Sequence, residues 1–130
     1  MKPAIVLIAY NRPDAMNRLL QSLTEAEYAC DDITLVISID NSGSEACQKT
    51  ADDYEWTHGN KRIISHDTRM GLKKHILSCG DLVNEYGSII MLEDDLCVSA
   101  YFYEYACRAL EFSSDRDNIG GVSLYTHKFD

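Results

Sequence analysis

Residues 4–13 read Ala4-Ile-Val-Leu-Ile-Ala-Tyr-Asn-Arg-Pro13, an apolar run that ends in polar residues. A continuous apolar run of this length is typical of a strand buried on both faces of a parallel sheet. Pro13 favours the first turn of a helix. Apolar residues then recur at the spacing of an amphipathic helix, at Met16, Leu19, Leu20 and Leu23. The stretch therefore predicts a buried strand followed directly by a helix.

The same alternation of strand and helix continues along the chain. Further strands are predicted at 33–39, 61–66, 88–92 and 118–124, with helical patterns between them at about 45–56, 72–86 and 102–110. The order β-α-β-α-β-α-β-α-β predicts an α/β fold, a three-layer α/β/α domain with a mainly parallel sheet and right-handed crossovers. In such sheets the ligand binds beyond the carboxyl ends of the strands.

Length and charge exclude several classes of protein. The 130 residues allow one domain, and 12 basic against 21 acidic residues give a net charge of −9. An acidic surface repels nucleic acid and anionic membranes, so neither is expected as the main partner. The longest apolar run is far shorter than the roughly 20 residues that span a bilayer. An odd number of cysteines without a CxxC pair favours a reducing compartment, and we expect a cytoplasmic protein.

Three consecutive acids, Glu93-Asp94-Asp95, follow the fourth predicted strand. Like charges this close raise one another's pKa, and a divalent cation relieves the repulsion. A hard oxygen site of this kind favours Mg²⁺ or Mn²⁺ over zinc. From the spacing alone, a metal site and a solvated loop that caps the next helix are equally supported.

Polar residues also follow the other strands. Asp40 can accept hydrogen bonds from a ribose hydroxyl or a base N–H, although an Asx-turn on its own backbone is the better-supported interpretation. Arg12 stands before a helix N-terminus, where backbone amides favour an anion, and by itself it fits a surface cation better. Lys73 and Lys74, which follow Gly71, suit a phosphate or an outer helix face equally well. The four histidines share no ligand spacing.

Taken together, these segments resemble the donor half of a GT-A-fold glycosyltransferase. Residues 5–13 resemble the first strand and loop of glycosyltransferase family 2, and Glu93-Asp94-Asp95 behind Ile89–Leu92 resembles the DXD motif. The Glu-Asp-Asp form, Arg12 and the run Tyr101-Phe-Tyr-Glu-Tyr105 are closer to the N-acetylglucosaminyltransferase I family. The likeness is specific at residues 5–13 and 89–105. It implies a nucleotide-diphospho-sugar transferase fold, with residues 1–130 as its donor-binding part.

The resemblance also implies an activity, the transfer of a sugar from a nucleotide-sugar donor, a UDP-sugar, to a hydroxyl of a glycan or other acceptor. Glu93 and Asp94 would lie near the ribose and the donor sugar. Asp95 would be the one protein ligand of Mn²⁺ or Mg²⁺, which neutralises the leaving diphosphate. The remaining positions carried over are the nucleotide-lining loop Ala9, Tyr10 and Asn11, Arg12 near the diphosphate, and Asp40 on the uracil.

Two departures from the family pattern bear on these expectations. Asp40-Asn41 stands where family 2 often has paired acids after the second strand. No candidate catalytic base is found, because the base and the acceptor site of such enzymes come later in the chain. We therefore expect residues 1–130 to be the amino-terminal part of a longer protein, able to bind a nucleotide without turnover on its own.

Three alternatives to a glycosyltransferase differ in their sequence requirements. A non-catalytic nucleotide-binding domain would have the same site without the chemistry. A phospho-receiver domain needs an acidic pair after the first strand, where this chain has Asn11-Arg12, and a phospho-acceptor after the third, where Asp67 is a weak match. A sugar nucleotidyltransferase needs a Gly-rich, basic loop after the first strand, and this sequence has none there.

Overall fold

The structure is a computed structural model that describes residues 2–113 and 121–123. Its five strands pair in the order β3-β2-β1-β4-β5, and every pairing is parallel. This confirms the predicted α/β fold and its mainly parallel sheet. The elements are β1 (Ala4–Ala9), α1 (Pro13–Glu25), β2 (Leu35–Ile39), α2 (Ala46–Asp53), β3 (Lys61–Ser65), α3 (Leu72–Gly80), α4 (Val83–Tyr86), β4 (Ile89–Glu93), α5 (Phe102–Ser113) and β5 (Gly121–Ser123).

The central strand β1 is buried along its whole length because helices cover both faces of the sheet. Side chains alternate across a strand, so Ile5 and Leu7 pack into one apolar cluster while Val6 and Ile8 pack into another. The first cluster takes its helical side chains from α1, α2 and α5, and the second takes Cys79 from α3. Two cores on opposite sides of one sheet make the three layers.

Several predicted boundaries differ from those observed, two of them for a visible physical reason. The predicted helix 72–86 is broken into α3 and α4, because glycine at position 80 is a weak helix former and a turn follows it at residues 81–82. The second strand begins at Leu35 rather than residue 33, since Ile33 donates its N–H to the carbonyl of His58 instead of joining the β1 ladder. Of the predicted strand 118–124, the structure describes Gly121–Ser123; the rest lies outside the described residues.

The register of the sheet brings three strand ends to one edge. Ala9 pairs with Ile39, and Ile8 pairs with Glu93, so the chain leaves β1, β2 and β4 at nearly the same level. The N–H of Asp40 donates to the carbonyl of Ala9 at 2.9 Å and extends this pairing by one residue. The residues that directly follow these strands are therefore neighbours in space.

Two features of the described residues concern membrane-spanning helices and disulfides. Within residues 2–113 and 121–123, no helix combines the length and apolar character needed to cross a membrane. The five cysteines form no disulfide with one another in this part of the chain.

Candidate functional site

A cleft of about 290 Å³ opens at the carboxyl edge of the sheet, between the ends of β1, β2 and β4 and the start of α3. The structure brings seven of the eight predicted site residues together there, while Asn11 is exposed and does not line the cleft. The lining residues are Ile8, Ala9, Tyr10, Arg12, Asp40, Arg69, Gly71, Leu72, His75, Glu93, Asp94 and Asp95.

Asp40 is a buried carboxylate held by three backbone N–H groups. Its Oδ1 accepts from Asn41 and from Met70, both at 2.8 Å, and its Oδ2 accepts from Gly71 at 3.0 Å. Burial by itself raises the pKa of this carboxyl, but the three N–H donors and nearby His75 outweigh burial and lower it. Since an ionised carboxylate offers about four acceptor positions, one remains for a ligand in the cleft.

The three consecutive acids occupy the end of β4 and the turn after it, with Glu93 as the last strand residue. Burial raises the pKa of the Asp94 carboxyl; Arg12 and the backbone N–H of Tyr10 oppose this, and the charges of Asp95 and Glu93 add to it. Carboxylates are the hard oxygen donors that Mg²⁺ and Mn²⁺ prefer. In the described part of the chain, however, no three His, Cys, Asp or Glu side chains are grouped closely enough to hold a metal. A cation at this turn therefore needs oxygens from a bound ligand or water.

Two arginines reach the cleft from different elements. Arg12 precedes α1 at its N-cap position, and its exposed side chain interacts electrostatically with Asp94. Arg69 lies in the loop between β3 and α3, and its guanidinium carbon is 5.2 Å from the centroid of the Tyr10 ring. Arg12 was predicted as a site residue from the sequence, and Arg69 was not. No local signal marks Arg69, because it lies four residues beyond the end of β3.

His75 is a second residue of the cleft to which the sequence analysis gave no role. Its ring is buried, and Nε2 lies 2.7 Å from Ser38 Oγ, which is also 3.3 Å from Nε2 of His66. Burial lowers the pKa of His75, the charge of Asp40 raises it, and His66 lowers it further. These contacts lock the ring beneath the cleft, so His75 supports the site from within the core.

Residues 71–74, at the start of α3, line two different surfaces. Gly71 and Leu72 line both the cleft and a shallow groove along the outer side of α3, whereas Lys73 and Lys74 line the groove and not the cleft. The two lysines therefore do not stand with Arg12 and Arg69 around the cleft. Of the two interpretations left open for them, the outer helix face agrees with their position.

Several solved structures share this fold. TarS 1–349 of S. aureus matches 88% of this chain with a TM-score of 0.65 at 15% sequence identity, and the same protein in complex with UDP-GlcNAc matches equally well. A longer TarS chain matches with a TM-score of 0.66 at 14% identity. This chain spans 33% of the length of TarS 1–349 and 20% of the longer TarS chain. No protein-family model matches the chain, and no curated protein sequence is significantly similar to it. At this level of identity the likeness is one of fold.

Proposed function

We propose that residues 1–130 form the donor-binding part of a glycosyltransferase that takes its sugar from a UDP-sugar and passes it to an acceptor hydroxyl. The observation that carries the proposal is the cleft itself, where two arginines, an ionised buried aspartate and three consecutive acids converge at the carboxyl edge of a parallel sheet. The S. aureus protein of the same fold was solved in complexes with UDP and with UDP-GlcNAc. That supports a nucleotide-sugar ligand for this cleft.

The two arginines and the β1 loop suit a nucleoside diphosphate. Arginine recognises phosphate oxygens through paired N–H donors, and a guanidinium beside an aromatic ring provides a flat surface for a base. In the proposed complex, Arg12 and Arg69 contact the diphosphate or the base, and Ala9 and Tyr10 line the nucleotide. Asp40 keeps one acceptor position for an N–H of the uracil.

The acidic turn suits the sugar end of the donor and a divalent cation. We assign Asp95 as the protein ligand of Mn²⁺ or Mg²⁺, because it is the most exposed of the three carboxylates and lines the cleft. Glu93 and Asp94 are placed near the ribose and the donor sugar. When bound, the cation would supply positive charge opposite the leaving diphosphate. The protein's own part is to hold the acids at this turn and Arg12 beside them.

The proposal is tested by titrating UDP into the protein by calorimetry, with and without Mn²⁺. We expect Mn²⁺ to tighten UDP binding, and Asp95→Asn to remove that gain while Asp53→Asn, an exposed acid at the end of α2, leaves it intact. Arg12→Gln should weaken UDP binding about tenfold, as expected for the loss of one charge-assisted contact. Arg18→Gln, which changes an exposed arginine within α1, is its matched control. Absence of UDP binding by a folded protein, at any metal concentration, would refute the proposal.

A second measurement separates a transferase from a domain that only binds nucleotide. The protein is incubated with UDP-sugars and hydroxyl acceptors, and free UDP is followed over time. Metal-dependent release of UDP that is lost in Asp95→Asn supports catalysis by this chain. UDP binding without release assigns the chain a donor-binding role alone.

A further inference from the structure

The two residues that follow β2 are both tied to one loop. This loop, residues 67–71 between β3 and α3, is called the 67–71 segment below. The Asp40 carboxylate accepts the N–H groups of Met70 and Gly71 at one end of the segment. The side-chain amide of Asn41 donates to the carbonyl oxygen of Asp67 at the other end, at 2.7 Å. Adjacent residues of one strand end therefore hold both ends of the segment.

The donor and acceptor pattern of the pair matches the backbone that it meets. Asp40 faces N–H groups, so a carboxylate satisfies them and an asparagine would place its own NH₂ group against one of them. Asn41 faces a carbonyl oxygen, so its amide can donate, whereas an aspartate has no hydrogen to give when ionised. The Oδ1 of Asn41 accepts the N–H of Gly43 at 2.9 Å, which fixes the orientation of the amide. This pattern gives a physical reason for an asparagine rather than a second acid after Asp40.

Between its two anchored ends the segment carries Arg69. The Arg69 side chain is exposed, lines the cleft and lies over the Tyr10 ring at 5.2 Å. A long exposed side chain loses conformational entropy when it is fixed by a ligand, and a rigid backbone beneath it reduces that loss. The hydrogen bonds from Asp40 and Asn41 provide this rigidity.

We propose that Asp40 and Asn41 are positioning residues that clasp the 67–71 segment and thereby present Arg69 to a nucleoside diphosphate in the cleft. The proposal rests on the proposed function, since it concerns the same cleft and ligand. Asn41 does not itself line the cleft, so its effect on nucleotide binding acts through Arg69.

The test is a double-mutant cycle on UDP affinity with Asn41→Asp and Arg69→Ala, measured by calorimetry. Asn41→Asp is nearly isosteric and keeps the acceptor for Gly43, but besides removing the hydrogen bond to the carbonyl of Asp67 it adds a negative charge beside Asp40. Asn41→Ala, which removes the same hydrogen bond without adding a charge, is therefore measured beside it. We expect each of them to weaken UDP binding about three- to tenfold, the effect of one lost hydrogen bond. Arg69→Ala should weaken binding about tenfold or more. The double variant should bind no more weakly than Arg69→Ala, because the clasp acts through that arginine.

Two further measurements test whether the weaker UDP binding of Asn41→Asp comes from a loosened 67–71 segment rather than from a general loss of structure. Asp67→Asn keeps the backbone carbonyl that Asn41 uses, so its UDP affinity should stay within about twofold of the unsubstituted protein. Amide hydrogen exchange should be faster at Met70 and Gly71 in Asn41→Asp and in Asp40→Asn, with α1 amides unchanged.

The outcomes are distinct. If the effects of the two substitutions are additive, or if Asn41→Asp binds UDP as tightly as the unsubstituted protein, Asp40 and Asn41 do not position Arg69 and this proposal is wrong. UDP binding by the unsubstituted protein would still support the proposed function. No binding by the unsubstituted protein would overturn the proposed function and the clasp together.

Discussion

Replacing Asp40 with asparagine removes a buried negative charge and changes little in shape. The carboxylate is 3% exposed, and its two oxygens accept three backbone N–H groups at 2.8–3.0 Å. Asparagine keeps one oxygen for two of these donors but turns an NH₂ group toward the N–H of Gly71. The variant therefore loses one charge-assisted hydrogen bond, leaves a part-buried donor unpaired and weakens the other two bonds.

The expected loss of stability follows from these contacts. A hydrogen bond to a charged group contributes about 1.5–3 kcal/mol, and an unsatisfied buried donor costs about 1–3 kcal/mol. Part of this is offset because a neutral amide is less costly to bury than a carboxylate. We expect the free energy of unfolding to fall by about 2–3 kcal/mol at pH 7. For a domain of this size that lowers Tm by about 6–15 °C.

The lowered pKa of Asp40 predicts how this loss of stability changes with pH. The pKa of Asp40 in the folded protein is below its usual value of 3.8, so the folded state holds the ionised form more tightly than the unfolded chain does. The stabilisation is therefore complete above pH 3.8 and is lost as the pH falls through the folded-state pKa. The amide of the Asp40→Asn variant cannot titrate, so the difference in stability between the two proteins should be constant from pH 7 to about 5 and should shrink below pH 3.8.

Urea unfolding followed by circular dichroism at pH 7, 5 and 3 measures these differences. Asp67→Asn, an exposed acid in the loop that Asp40 holds, is the control and should change stability by less than about 0.5 kcal/mol. A loss under about 0.5 kcal/mol for Asp40→Asn at pH 7 would show that the three hydrogen bonds contribute little. A difference that does not decrease in acid would show that the ionised carboxylate is not its source.

Three further predictions concern the folded scaffold. An added Cβ at Gly59 would overlap the backbone of Ile33, so Gly59→Ala should lower the free energy of unfolding by about 1–3 kcal/mol. Gly80 has open space around it, so Gly80→Ala should raise the free energy of unfolding by about 0.5–1 kcal/mol. Thermal unfolding measures both. Leu19 is fully buried, so Leu19→Ala should lower the free energy of unfolding by about 2–5 kcal/mol in urea titrations. Leu72 is exposed, so Leu72→Ala should lower it by less than about 0.5 kcal/mol. The lowered pKa of His75 means that the unfolded chain binds its proton more readily below pH 6.5. The stability advantage of the unsubstituted protein over His75→Gln should therefore narrow as the pH falls below that value, and an advantage that grows in acid would refute the assigned burial.

Much of the fold was predictable because its signals are local. The apolar run of β1, the stripe on α1 and the turn residues after β2 each act within a few positions, and each produced the expected element. The parallel order followed from the alternation of strands and helices. The boundaries that were missed, such as the break between α3 and α4, depend on a few backbone hydrogen bonds that leave no periodic pattern in the sequence.

The candidate site was predictable only where residues directly follow a strand. Tyr10, Asp40 and Asp94 lie at strand ends, and the carboxyl-edge rule brings such residues together. Arg69 stands four residues beyond the end of β3, and His75 lies within α3. Nothing local marks either residue, because each reaches the cleft through contacts with a different strand.

The amino-acid sequence by itself determined the alternation of strands and helices, the buried position of β1 and the placement of acids and Arg12 at one edge of the sheet. These follow from hydrophobic spacing and from the direction of parallel strands. The tertiary structure alone decided that Asp40 is held by Met70 and Gly71, that Asn41 holds Asp67 and that Arg69 lies over Tyr10. The hydrogen-bonded partners are 26–31 residues apart along the chain, and only the packing of the chain after β3 against the sheet brings them within hydrogen-bonding distance.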